Sequence, residues 1–183
     1  MTINVYTEQT PNPSTMKFMV NKLLINGSED FPTREAAEKS VFARELFKFN
    51  FVNGVFFASN FVTITKTEDA EWPDIEAILK EFIKGAVESE LKIKDETAET
   101  APNYEGTETE IKIQQILNDY VRPAVEQDGG AISYRSFEDG VVTVELRGSC
   151  SGCPSSTITL KAGIENLLQR MVPEVKEVIS EGV

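Results

Sequence analysis

Cys150 and Cys153 stand three positions apart in Gly148-Ser149-Cys150-Ser151-Gly152-Cys153-Pro154-Ser155-Ser156, and the chain has no other cysteine and no histidine. This C-x-x-C is therefore the one place for soft-ligand metal chemistry or thiol redox chemistry. Two thiolates are half a metal site. Structural zinc and cubane iron-sulfur clusters usually take four protein ligands, so a metal reading calls for a second copy of the chain to supply the other pair. Pro154 suits a first helical position, where no N–H is needed. The free N–H groups of that turn and the positive end of the helix dipole would favour a thiolate at Cys153. Gly148 and Gly152 let the backbone fold closely around a bulky inorganic core, and Ser149, Ser151, Ser155 and Ser156 offer hydroxyls to sulfur. Arg147 is the one charged group close by in sequence, and solvation alone accounts for it.

Other chemistries fit the same pair. A dithiol oxidoreductase would use Cys150 as nucleophile and Cys153 as resolving thiol, although that motif normally comes early in a βαβ unit and here a hairpin precedes the loop. Zinc held by four thiolates across a dimer is chemically reasonable. Two free cysteines without a role are the bland alternative, set against the ligand-like Gly, Pro and Ser residues around them.

The elements that must position the loop follow from periodicity. Asp128-Gly129-Gly130 is a turn signal leading into a strand over 132–137, and Glu138-Asp139-Gly140 carries the Asp-Gly hairpin signature into a second strand over 141–146. After the cysteines, Ile158, Leu160, Ile164, Leu167, Leu168 and Met171 recur at helical spacing until Pro173, and 175–180 returns as a last strand. Ahead of this unit, Ile111, Ile116, Leu117, Tyr120, Val121 and Val125 mark a helix that Pro123 bends or ends.

The N-terminal half reads as strands over 3–7 and 17–25, interrupted by Thr10-Pro11-Asn12-Pro13, then a helix from Thr33 with Ala37, Val41, Leu46 and Phe47 near one face. Strands over 52–57 and 61–65 lie close enough for a hairpin through Ser59-Asn60. Pro73 opens a helix carrying Ile75, Ile78, Leu79, Phe82, Ile83 and Val87. Phe47, Phe49, Phe51, Phe56, Phe57 and Phe61 form a packed core rather than a ligand box. Between the halves, Asp95 to Glu110 holds six acids and no base, too little apolar surface to offset the entropy of ordering it. The expected architecture is α+β: two small α+β domains, residues 1–94 and 111–183, joined by a flexible acidic linker over 95–110.

Composition narrows the function class. A net charge of -12 argues against non-specific binding to nucleic acid or anionic membrane and leaves proteins or metals as partners. Two cysteines do not make a disulfide-stapled secreted domain. The first residues carry neither a cationic segment nor an apolar signal core, and no uncharged apolar run approaches spanning length. The expectation is a cytoplasmic protein.

Several segments resemble a known family. Val121-Arg122-Pro123, Asp128-Gly129-Gly130, the run Gly148 to Ser156, and Thr159-Leu160-Lys161-Ala162-Gly163-Ile164-Glu165 are similar to the C-terminal NifU-type domain of Nfu iron-sulfur proteins. Thr10-Pro11-Asn12-Pro13, Lys17-Phe18, Gly54-Val55 and 61–66 are similar to the N-terminal domain that accompanies it. One departure is Ala131, where the family commonly carries a second acid. The resemblance implies a non-enzymatic scaffold or carrier. In it, two subunits each present Cys150 and Cys153, hold one 4Fe-4S cluster between them as a homodimer, and pass it to client apo iron-sulfur proteins. Upstream cluster assembly proteins would be further partners, and the N-terminal domain a recognition or targeting module.

Overall fold

The computed structural model describes residues 1–93, 104–150 and 154–182. The chain forms two compact α+β units that divide between Glu99 and Thr100, and each is built around its own hydrophobic cluster. Residues 95–103 of the acidic segment lie outside the described residues.

The first unit is a five-stranded sheet of order β1-β2-β5-β4-β3, every neighbouring pair antiparallel. Its strands are β1 (Val5–Gln9), β2 (Thr15–Val20), β3 (Ser28–Phe31), β4 (Val52–Ala58) and β5 (Phe61–Lys66). Alternation along the strands sends Met16, Phe18, Val20, Val55, Phe57, Val62 and Ile64 into the core. There they meet α1 (Val41–Leu46) and α2 (Trp72–Glu88), whose Phe42, Leu46, Leu79 and Ile83 are buried. Phe47, Phe49, Phe51 and Phe57 join this core as expected, with Phe42 and Phe57 5.1 Å apart and Phe49 edge-on to Phe82 at 5.2 Å, whereas Phe56 and Phe61 pair on the opposite sheet face. Lys17 alternates to the other face, where it ion-pairs Glu8 at 3.2 Å and lies 4.6 Å over the Phe61 ring.

Three expectations for this unit shift. The second strand spans Thr15–Val20 rather than 17–25. The helix expected from Thr33 is divided: a 3-10 turn over Ala36–Lys39 ends at Ser40, which adopts an extended backbone and accepts the Ala43 N–H at 3.1 Å to cap a new helix. Ser40 competes for backbone donors more effectively than it propagates a helix. The strand Ser28–Phe31 was not foreseen, because Ser-Glu-Asp-Phe is an edge segment with one buried residue and no alternating signal.

The second unit is a three-stranded sheet of order β6-β7-β8, with β6 (Gly130–Glu138), β7 (Val141–Gly148) and β8 (Glu177–Gly182). β6 and β7 form the expected hairpin, in which Asp139 and Gly140 both take positive φ, 50° and 83°, as the tight turn demands. β8 pairs parallel to β7, so α5 (Pro154–Met171) is a crossover helix. Ile164 and Leu168 of α5 pack with Val142, Val144 and Leu146 of β7 and with Ile113, Ile116 and Val125 from the preceding helices.

Those preceding helices are α3 (Glu108–Ile116) and α4 (Arg122–Gln127), joined by one π-helical turn over Leu117–Val121. Pro123 interrupts the expected helix, as its missing N–H requires, and α4 resumes around it. Having no N–H, it cannot bond to the carbonyl of Asp119 and its ring crowds that carbonyl, so the ladder widens before it and resumes after it. The linker expectation also needs correction at its C-terminal end, since Glu108 to Glu110 form the first turn of α3. Thr107 accepts the Glu110 N–H at 3.3 Å while the Glu110 carboxylate accepts the Thr107 N–H at 2.7 Å. This reciprocal cap satisfies two orphan donors and places acids at the positive end of the dipole. Tyr134 of β6 donates to the other Glu110 oxygen at 2.9 Å, tying the helix start to the sheet. Thr107→Ala should therefore weaken α3 by about 1 kcal/mol, read as faster amide hydrogen exchange across Glu108–Ile116; unchanged exchange there would remove the cap from the account.

Candidate metal centre

β7 is the middle strand of its sheet, fixed by β6 on one edge and β8 on the other, and the cysteine loop leaves its carboxyl end. In α/β units, ligand sites gather at the carboxyl ends of strands in this way. The strand stops at Gly148, whose φ of 68° turns the chain out of the ladder. Ser149 then donates its N–H to the Gly129 carbonyl at 3.3 Å and its hydroxyl to the Asp128 carbonyl. Thr157, in the first turns of α5, donates its hydroxyl to the Cys150 carbonyl at 3.2 Å. The loop is thus held from both sides, by the Asp128-Gly129-Gly130 turn and by the helix that follows.

Cys150 is a free thiol, 5% exposed and part of the second unit's hydrophobic cluster. Gly130 lies directly against it: a Cβ at Gly130 would stand 2.7 Å from the Cys150 sulfur and 2.7 Å from the Arg147 carbonyl oxygen. Sulfur occupies the space that any side chain at 130 would fill. Burial pushes the Cys150 thiol up to about 11, with the Asp128 charge adding to the rise and the Ser149 hydroxyl, 4.0 Å away, partly offsetting it. Cys150 is thus a neutral thiol near neutral pH, and a metal would have to displace its proton to bind.

Cys153 lies outside the described residues, and so do Ser151 and Gly152. The lowered pKa expected of Cys153 falls on that segment too. Pro154 opens α5, as its missing N–H predicts. Among the described residues no group of three or more His, Cys, Asp or Glu side chains could hold a metal ion. A thiol is a soft ligand, so Cys150 matches soft-metal rather than hard-cation chemistry.

Sequence reasoning missed a charged group beside the loop. Glu145, two residues before Arg147 on the same face of β7, accepts from Arg147 at 3.1 Å and from Arg135 of β6. Burial alone would raise the Glu145 carboxyl, but the Arg147 hydrogen bond and charge, followed by Arg135, outweigh it and hold it low. The i, i+2 spacing of Glu145 and Arg147 was a legible signal of a shared face. The third member, Arg135, came from strand register.

Family comparison supports the same division of the chain. The NifU-like domain model matches residues 113–179, and the model described as the N-terminal region of the scaffold protein Nfu/NifU matches residues 5–90. Among curated relatives, the human protein named NFU1 iron-sulfur cluster scaffold homolog, mitochondrial, is 41% identical over 180 residues, covering 95% of this chain and 70% of that one. The Arabidopsis thaliana protein named NifU-like protein 5, mitochondrial, is 40% identical over 188 residues, covering 98% of this chain and 68% of its own. A Drosophila persimilis protein, also named NFU1 iron-sulfur cluster scaffold homolog, mitochondrial, is 41% identical over 183 residues and is covered over 64% of its length. The chain belongs to the Nfu/NifU family. The cytoplasmic expectation is overturned by these names, since all three relatives are named mitochondrial. Compartment is an address read by other machinery, and the composition of folded domains does not carry it.

The raised pKa of Cys150 ties stability to pH. The folded state prefers the neutral thiol more strongly than the unfolded chain does, so its contribution to stability is complete below the unfolded value of 9.0 and is lost as pH rises through about 11. In a Cys153→Ser chain without metal, alkylation of Cys150 by iodoacetamide should therefore keep rising past about pH 10, where an unburied thiol has nearly levelled off. A plateau by about pH 10 would show that burial does not control the thiol.

Proposed function

We propose that this protein is an iron-sulfur cluster scaffold and carrier, in which Cys150 and Cys153 from each of two copies hold one 4Fe-4S cluster as cargo. The observation that carries the reading is the placement of the chain's only two cysteines between β7 and α5, inside the segment matched by the NifU-like domain model. Four thiolates complete a cubane, and a symmetric pair of chains supplies four. The relatives' names, iron-sulfur cluster scaffold homolog among them, support the same class.

Transfer needs no acid or base beyond the thiols. Each exchange breaks one iron–sulfur bond to the carrier and forms one to a client thiolate, with no obligatory change in iron oxidation state. A cluster at a subunit interface is released by a shift of that interface, whereas one inside a single core would require unfolding. The reading is non-enzymatic, and the absence of histidine from the chain is no handicap to it. The domain organisation proposed with it is a client-recognition module before residue 95, an acidic tether ending ahead of Thr107, and the cluster-binding unit after it. A tethered client is held near the cluster at raised effective concentration.

Anaerobic reconstitution with iron and sulfide, followed by visible absorption, iron analysis and sizing, tests the reading. A broad visible band with about four irons for every two chains is expected. A colourless dimer holding zinc would sink it, as would a metal-free monomer that reduces disulfides. Cys150→Ser and Cys153→Ser should each abolish stable cluster retention; a stable cluster in either variant overturns the ligand assignment. Removal of residues 1–90 should slow hand-over to at least one client apoprotein while leaving reconstitution intact, and equal rates to every client would end the recognition role.

A further inference from the structure

An iron-sulfur cluster shared by two chains lies at their surfaces, so the sulfurs that bind it must project outward. Cys150 does the opposite. It is 5% exposed and packs within the hydrophobic cluster of the second unit, and its sulfur rests on the bare α-carbon of Gly130. Resting on the scaffold reading above, we propose that the Asp128-Gly129-Gly130 turn is a seat holding the Cys150 sulfur inward in the unloaded chain. Ser149 is its latch, and cluster uptake draws the sulfur off this seat.

Three features of the geometry support the seat. The Gly130 α-carbon is accessible to sulfur only because no side chain is present, and the other atom a Cβ would strike, the Arg147 carbonyl oxygen, belongs to a backbone paired in the ladder. A methyl group there must displace the sulfur, and it also presses on the paired strand, so Gly130→Ala tests the seat only where the fold is kept. Gly129, with φ of 83°, makes the turn that carries Gly130 under the loop. The latch consists of the two Ser149 hydrogen bonds, to the Asp128 and Gly129 carbonyls, made by the residue adjoining the thiol. Only the hydroxyl bond depends on the side chain. Gly130 and Ser149 are positioning residues: they act through Cys150 and are assigned no contact with the cargo.

An inward seat has a chemical consequence. While the chain waits for a cluster, the thiol is shielded from oxidants and from stray metal ions, and both would otherwise compete with loading. The cost is an opening step before iron can be bound, one that a partner subunit or an incoming cluster must drive.

The test uses the full-length chain carrying Cys153→Ser, so that Cys150 is the only thiol, without metal and at one fixed pH. Its alkylation by iodoacetamide should be at least about tenfold slower than in the same chain unfolded in urea, because reaction must await opening. Ser149→Ala in that background should speed alkylation about two- to tenfold, the factor that one neutral hydrogen bond is worth, and Gly130→Ala should speed it further. Circular dichroism confirms that each variant is folded; if Gly130→Ala is not, Ser149→Ala alone decides. Alkylation as fast as in the unfolded chain, or no acceleration in a folded Ser149→Ala chain, overturns the seat.

A second measurement addresses uptake. In chains with both cysteines, the visible band should develop faster for Ser149→Ala than for the natural sequence during anaerobic reconstitution, and equal rates would overturn the claim that uptake unseats the sulfur. If slow, variant-released alkylation is found but the natural chain never develops a band, the seat stands and the cluster-carrier reading falls.

Discussion

The site depends on β7 being held on both edges. Its antiparallel pairing to β6 and parallel pairing to β8 fix where the strand ends, and the cysteine loop begins at that end. An edge strand could slip by one register step and turn its apolar side chains to the opposite face. The middle strand cannot do so without breaking both ladders and pulling Val142, Val144 and Leu146 from the core. The same pairing sets Gly130 opposite Gly148, bringing the Asp128-Gly129-Gly130 turn beneath the cysteine. Gly130, at the start of β6, gives the sulfur its space, and Gly148, at the end of β7, turns the chain toward it.

The helices complete that frame by different means. α5 returns the chain so that β8 can pair parallel with β7, and Thr157 near its start secures the Cys150 carbonyl. The π-helical turn ahead of Pro123 lets α4 continue to Gln127 and deliver the Asp128-Gly129-Gly130 turn from its C-terminal end. Proline in a helix interior costs about 3 kcal/mol. Here the disrupted ladder divides α3 from α4, and Val121 and Val125 remain buried on either side of the proline.

The two units use their buried polar groups differently. In the first, Lys17 is paired with Glu8 and covers an aromatic ring, on the sheet face opposite the main core. In the second, Glu145 is held between two guanidinium groups on the outer face of β7, three residues from the last paired position of the strand. In each case a buried charge meets a more exposed partner, so removing the partner would leave that charge uncompensated. The positions of these groups on alternating strand residues keep charge out of the two cores.

Much of this was legible in the chain. The Asp-Gly hairpin, the Pro73 and Pro154 helix starts, the apolar periodicity of α2 and α5, and the aromatic core all follow from local rules of backbone angle and side-chain period. Where local rules misled, a competing interaction prevailed: a serine cap divided the first helix, and a capping box drew three residues from the acidic segment into α3. Sequence alone determined that thiol chemistry is confined to one pair of residues, because residue types are absolute and the chain holds no other cysteine. It could not say that Cys150 faces inward, that Gly130 is its support, or that Arg135 reaches Glu145. Those facts depend on contacts between residues 10 to 20 positions apart, and only the pairing of β6 with β7 decides which of them meet.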